Sequence, residues 1–163
     1  SLIDTPALLA LPHPFRIMAK RGLFFVPLMG WHLWTAGHFS IDRRDRHKTA
    51  RSLRGVIDGV RGGKSLAVFP EGTRTRDGRL QEFKPGAFKI ALKAGVPIVP
   101  VTIRGTFELL PCTTLAPRPG PVEVILGEPI ETRDYDAKRL PELIERTRDV
   151  ILRTLTAENA TGR

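Results

Sequence analysis

"SLAVFPEGTRTRDG", residues 65 to 78, passes from apolar to charged within a few positions. Residues 65 to 69 are a compact apolar run between Gly62-Gly63 and Pro70, which predicts a short buried strand. The loop that follows, 70 to 83, then emerges at the strand's carboxyl end, where ligand sites form in open α/β sheets. Its residue types suit an anion. Pro70 stiffens the exit, Gly72 lets backbone amides approach closely, Thr73 offers a hydroxyl, and the planar fork of Arg74 matches phosphate oxygens. Glu71 is placed to orient that arginine or to accept a hydrogen bond from a polar substrate. The same residues also read as a solvated turn with a surface ion pair worth about 0–1 kcal/mol. Further on, Asp77-Gly78 is a tight-turn pair, with Arg76 and Arg79 holding that turn or facing solvent.

Outward from this strand, apolar runs alternate with helical patterns. "TPALLAL" reads as a short helix opened by Asp4 or Thr5, with Pro6 in its first turn, "FRIMA" (15–19) as a strand, and residues 21–35 as a helix broken near Pro27. "HFSID" (38–42) is a further strand. Leu53, Val56, Ile57 and Val60 then recur at i, i+3, i+4 and i+7, one face of a helix ending at Gly62-Gly63. Pro85 opens a helix through Lys93 that Gly95 caps, and "PIVPVTI" (97–103) is expected as a strand despite its prolines. A Pro-rich loop (111–121), the strand "VEVILG" and a helix over 137–157 complete the chain. The pattern predicts one α/β domain with a largely parallel central sheet and helices on both faces.

A length of 163 residues suits a single domain with a substantial core. Charge is uneven: positions 1–80 carry 14 basic and 6 acidic residues, the remainder 12 and 11. A basic half favours phosphate-bearing molecules, acidic membrane surfaces or nucleic acid. Aromatic interleaving, a zinc pattern and an RNA-binding signature are all missing, so nucleic acid is not the expected partner. The single cysteine, Cys112, excludes an internal disulfide framework and has no histidine nearby in sequence to activate it. No metal-ligand spacing is present. The longest apolar stretch, "GLFFVPLMGWHLWTAG" (22–37), is interrupted by Pro27, Gly30 and His32 and falls short of the roughly 20 apolar residues a membrane span requires.

"FPEGTR" (69–74), followed by "FKPGAF" (83–88) and "VPIVPV" (96–101), resembles the third and fourth sequence blocks of the PlsC-type glycerolipid acyltransferases. "AGHFSIDR" (36–43) resembles the family's Gly, hydrophobic, Ile-Asp-Arg block, and "AKRGLFFVPLMGW" before it the family's Lys, Leu, Pro, Gly stretch. These blocks fall in the family's order across residues 1 to about 106. The resemblance implies transfer of a fatty acyl group from acyl-CoA or acyl-carrier protein to the free hydroxyl of a lysophospholipid, most simply 1-acyl-glycerol-3-phosphate to phosphatidic acid, with no bound cofactor. By the same resemblance Arg43 and Arg74 would bind the acceptor's phosphate, Glu71, Gly72 and Thr73 would shape its pocket, and Lys84 would assist. Pro97 and Pro100 would shape a wall.

The family's first block supplies a general base, a His, and an Asp that orients it. In "SLID" the aspartate is Asp4, and the His would stand five positions before it, ahead of Ser1. The 163 residues therefore lack the implied base and are expected to be inactive alone, with a non-catalytic phosphate- or lipid-binding domain of the same fold as the alternative. Taken by itself, Asp4 also fits a helix N-cap. His13, His32, His38 and His47 read as structural or exposed, His38 being nearest to a site block. The expected partners are a lysophospholipid, an acyl thioester and an anionic membrane surface, placing the protein peripherally at the cytoplasmic face of the membrane. Phe24, Phe25, Trp31 and Trp34 are candidates to enter lipid or to fill the core.

Overall fold

The computed structural model describes residues 3–41, 46–73, 75, 77–110, 116 and 118–157. Strand β1 (Phe15–Lys20) lies at the centre of a parallel sheet, with β2 (Phe39–Ile41) on one side and β3 (Ser65–Ala67) on the other. Met18 stands opposite Phe39, and Ile17 opposite Ala67. Parallel neighbours need crossovers. The first is a 3₁₀ turn (Arg21–Phe25) and helix α2 (Met29–Thr35), interrupted around Pro27 as expected; the second is α3 (Arg46–Arg61). Ahead of the sheet stands α1 (Asp4–Leu9).

Helix α3 turns its predicted face inward: Val56 and Val60 are buried, and Leu53 and Ile57 pack against them. Gly59 is required on that helix because a Cβ there would stand 2.8 Å from the Phe39 ring. The helix ends as the glycines dictate, with Gly63 at φ +90 and the Lys64 amide donating to the Gly59 carbonyl, a Schellman-type stop. Helix α4 (Gly86–Ala94) begins after Pro85 and closes on Gly95 at φ +70.

Two strands are shorter than their apolar runs. Regular pairing of β3 stops at Ala67, so Val68 and Phe69 already belong to the loop. In "PIVPVTI" Pro97 and Pro100 have no N–H to give a ladder; only a single bridge, Ile98 to Ile130, forms before β4 (Val101–Arg104). Strand β4 pairs antiparallel with β5 (Glu123–Leu126), and among the described residues this pair forms a sheet separate from the parallel one. Helix α5 (Thr106–Leu109), which the sequence pattern does not announce, follows Gly105, and α6 (Leu140–Thr156) packs on β4 and α4. The result is the expected α/β fold, its parallel part in residues 15–67 and an antiparallel annex beyond residue 100.

Candidate active site

The loop after β3 is held by its own backbone. The Gly72 amide donates to the Phe69 carbonyl at 3.1 Å, and the Lys84 amide donates to Pro70 at 2.8 Å. The second bond ties "FPEG" to "FKPGAF" just before α4. Between them, Glu71 turns inward, and its Oε2 accepts the Gln81 amide at 2.8 Å. Gly72 sits at φ +68, a conformation glycine adopts without steric cost. A Cβ at that position would lie 3.0 Å from Lys84 Nζ, so the lysine side chain lies across the glycine. Thr73 is exposed.

Asp4 reaches the same place from α1. It is the first residue of that helix; Ile3 occupies the N-cap position and no side chain caps, so the N-cap role open to Asp4 is not the one it plays. The Glu71 carboxyl is pushed above its ordinary pKa, mainly by burial and further by the like charge of Asp4, while the Gln81 amide opposes the shift. The fold thus joins Asp4, Glu71, Gly72 and Lys84, drawn from three separated segments, at the carboxyl end of the parallel strands. Arg43, Arg74, Arg76, Cys112 and much of the Pro-rich loop lie outside the described residues. Sequence reasoning missed Gln81, whose contribution is a main-chain amide that any residue type carries.

The rest of the loop is a turn. The Asp77 carboxylate accepts the Thr75 hydroxyl at 2.7 Å and the Arg79 amide at 3.1 Å, which hold its pKa below the ordinary value. Gly78 follows at φ +77, and exposed Arg79 stays with this turn, as expected. Pro97 is exposed. Pro100 is buried, and its carbonyl accepts the Gly127 amide, which places it at the root of the antiparallel pair.

The histidines have other partners. His13 and Ser65 are hydrogen-bonded at 2.8 Å, at the amino end of the strands and so opposite Glu71. His38 is buried, and its Nδ1 accepts the Ile17 amide, which puts the ring proton on Nε2. Burial, then the neighbouring His32 and Arg16, hold its pKa low. His32 is exposed and meets His38 edge-on. His47 lies in α3, but its side chain is outside the described residues.

Residues 1–104, which hold both the parallel sheet and this cluster, match the family model described as Acyltransferase. The chain belongs to the acyltransferase family. Among curated proteins it is 39% identical over 131 residues to a chloroplastic 1-acyl-sn-glycerol-3-phosphate acyltransferase, BAT2, of Brassica napus, covering 80% of this chain and 38% of that protein. With a 1-acyl-sn-glycerol-3-phosphate acyltransferase of Chlamydomonas reinhardtii it shares 33% identity over 159 residues, 97% of this chain and 47% of that one. Its fold matches the crystal structure of the 1-acyl-sn-glycerophosphate acyltransferase PlsC from Thermotoga maritima with a TM-score of 0.83 at 31% identity, over 100% of this chain and 64% of that one. This is therefore an acyltransferase domain of the PlsC type, spanning about half the length, or less, of these two curated relatives.

Proposed function

We propose that this domain transfers a fatty acyl group from acyl-CoA or acyl-carrier protein to the free hydroxyl of 1-acyl-glycerol-3-phosphate, giving phosphatidic acid. The observation that carries the reading is the Glu71 loop, closed by the Lys84 amide on Pro70 and the Gln81 amide on Glu71 with Lys84 lying across Gly72, at the carboxyl end of the parallel strands. The names of the relatives support the acceptor.

In this reading the acceptor's phosphate is taken by Arg43 and Arg74, with Lys84 beside Gly72 as a third cation. Glu71, Gly72 and Thr73 form the wall against which the acceptor's glycerol rests. Asp4 orients the histidine that the family's first block places five positions ahead of it, and that histidine takes the hydroxyl proton. The hydroxyl oxygen attacks the thioester carbonyl, the carbon–sulfur bond breaks, and the departing thiolate receives the proton. Acceptor and product are both bilayer amphiphiles, so the domain works peripherally on a membrane, at its cytoplasmic face.

Release of free thiol from acyl-CoA, followed colorimetrically with lysophosphatidic acid present, tests the scheme. The 163 residues alone are expected to bind the acceptor without turnover, and the chain extended upstream through the histidine position to be active. Equal activity in both forms would overturn the role given to that histidine. Acceptor binding with no turnover in either form would make this a binding domain instead.

A further inference from the structure

Helix α2 has one face inside and one with no protein against it among the described residues. Leu33 and Gly30 are buried, and Gly30 packs on the Phe24 backbone closely enough that no Cβ fits there. On the outer side, Leu28, Trp31 and Trp34 follow one another at intervals of three residues and are 81%, 71% and 78% exposed. The preceding 3₁₀ turn adds Phe25 at 75%, flanked by exposed Leu23 and Val26. Six large apolar side chains within twelve residues stay exposed, a local concentration of the kind that marks an interaction surface. Leu28 projects from a turn at φ +64, the only non-glycine residue with positive φ among the described residues.

Its position in the fold says what it faces. The 3₁₀ turn starts at Arg21, directly after the last residue of β1. Strands β1 and β3 run parallel with Ile17 opposite Ala67, so the patch leaves the sheet at the end where Pro70 and Glu71 leave it. Phe69, also exposed, lies on that loop. Exposed Arg21 borders the apolar residues, and residues 1–80 hold nearly all of the chain's net positive charge. Tryptophans beside a basic margin suit the interface of an anionic bilayer, where an indole buries its ring and keeps its N–H among headgroups.

We propose that the Leu23–Trp34 patch inserts into an anionic lipid surface and so sets the Glu71 loop at headgroup level, where an acceptor's phosphate would lie. The proposal deepens the acyltransferase reading and rests on it only for the identity of that acceptor; lipid insertion is read without any acyl transfer. Trp31 and Trp34 are the chain's only tryptophans, so tryptophan emission, excited where Tyr135 does not absorb, reports this patch alone.

The experiment adds vesicles of phosphatidylcholine, with or without phosphatidylglycerol, some carrying brominated acyl chains. Emission is expected to shift to the blue and to be quenched by bromines near the headgroup end, more strongly with phosphatidylglycerol. A Phe25→Glu, Leu28→Glu double variant is expected to partition at least tenfold more weakly with an unchanged melting temperature, because both side chains are exposed. It should keep turnover of a short-chain, water-soluble acceptor when placed in the upstream-extended chain, which separates failure of insertion from failure of chemistry. Emission insensitive to vesicles, or equal partitioning of the double variant, would overturn the proposal. So would tryptophans already shielded from acrylamide without lipid, or a dimer that the variant dissolves, since the patch would then be covered by protein.

Discussion

A carboxylate whose charged form is disfavoured destabilises the fold as it ionises. Glu71 is such a group, raised by burial first and then by Asp4. Just above the ordinary glutamate value the folded protein still holds a proton that the unfolded chain has lost. The contribution of Glu71 is therefore full below that value and is lost as pH rises through the raised one. Asp4→Asn should move the Glu71 midpoint back down, and Glu71→Gln should remove the falling limb while keeping an acceptor for the Gln81 amide. Carbon-detected NMR titration of the Glu71 carboxyl, with urea denaturation across pH, measures both; a midpoint unmoved by Asp4→Asn would mean that the carboxylates do not share a site. His38 has the opposite sign. Its depressed pKa gives stability present above the ordinary histidine value and lost as pH falls through the depressed one, since protonation would turn Nδ1 from an acceptor into a donor facing the Ile17 amide. At this scale the sequence blocks single out Asp4, Glu71, Gly72 and Lys84 as candidates, and Lys84 does lie across Gly72 beside Glu71. The charge coupling between Asp4 and Glu71 was not legible there, because it depends on how α1 lies against a loop 67 positions away.

At the scale of the element, two glycines, one in a loop and one in a helix, should answer an alanine substitution with opposite signs. Gly72 is left-handed and has Lys84 Nζ 3.0 Å from where a Cβ would sit, so Gly72→Ala should destabilise by about 1–2 kcal/mol and push the lysine aside. Gly55 lies on the exposed side of α3 with open space around it, and Gly55→Ala should stabilise by about 0.5–1 kcal/mol. Urea denaturation reads both. The apparent affinity for lysophosphatidic acid, measured in the upstream-extended chain, should fall for Gly72→Ala alone. Helices such as α3 could be read from sequence because periodicity, amphipathic face and glycine stop all agree. The ends of β3 and β4 could not. An apolar run marks where a strand is possible, whereas pairing ends where a neighbour or an N–H is missing, as at Pro97 and Pro100.

For the whole molecule, the alternating pattern announced an α/β fold but not the antiparallel run of β5 against β4, since side-chain alternation is the same for either direction. Helices α4 and α6, with the segments carrying Phe83, Ile98, Ile130 and Tyr135, enclose a core of Phe83, Phe88, Ile130, Tyr135, Leu140 and Leu143, whereas α3 buries Val56 and Val60 with Ile90 and Ala94. Helix α4 belongs to both. Its Phe88 stacks near Phe83, with ring centroids 6.2 Å apart, while Ile90 and Ala94 face α3. A rigid helix shared by two clusters couples them, because neither can open without exposing the α4 residues that the other requires. Leu143→Ala, at a fully buried position, should cost about 2–5 kcal/mol, and Val56→Ala about 2 kcal/mol. Each should lower one common unfolding midpoint, and hydrogen exchange should show protection falling together in α3, α4 and α6. If Leu143→Ala loosened α6 and β5 while α3 kept its protection, α4 would not be the coupling element, and the domain would unfold in two parts.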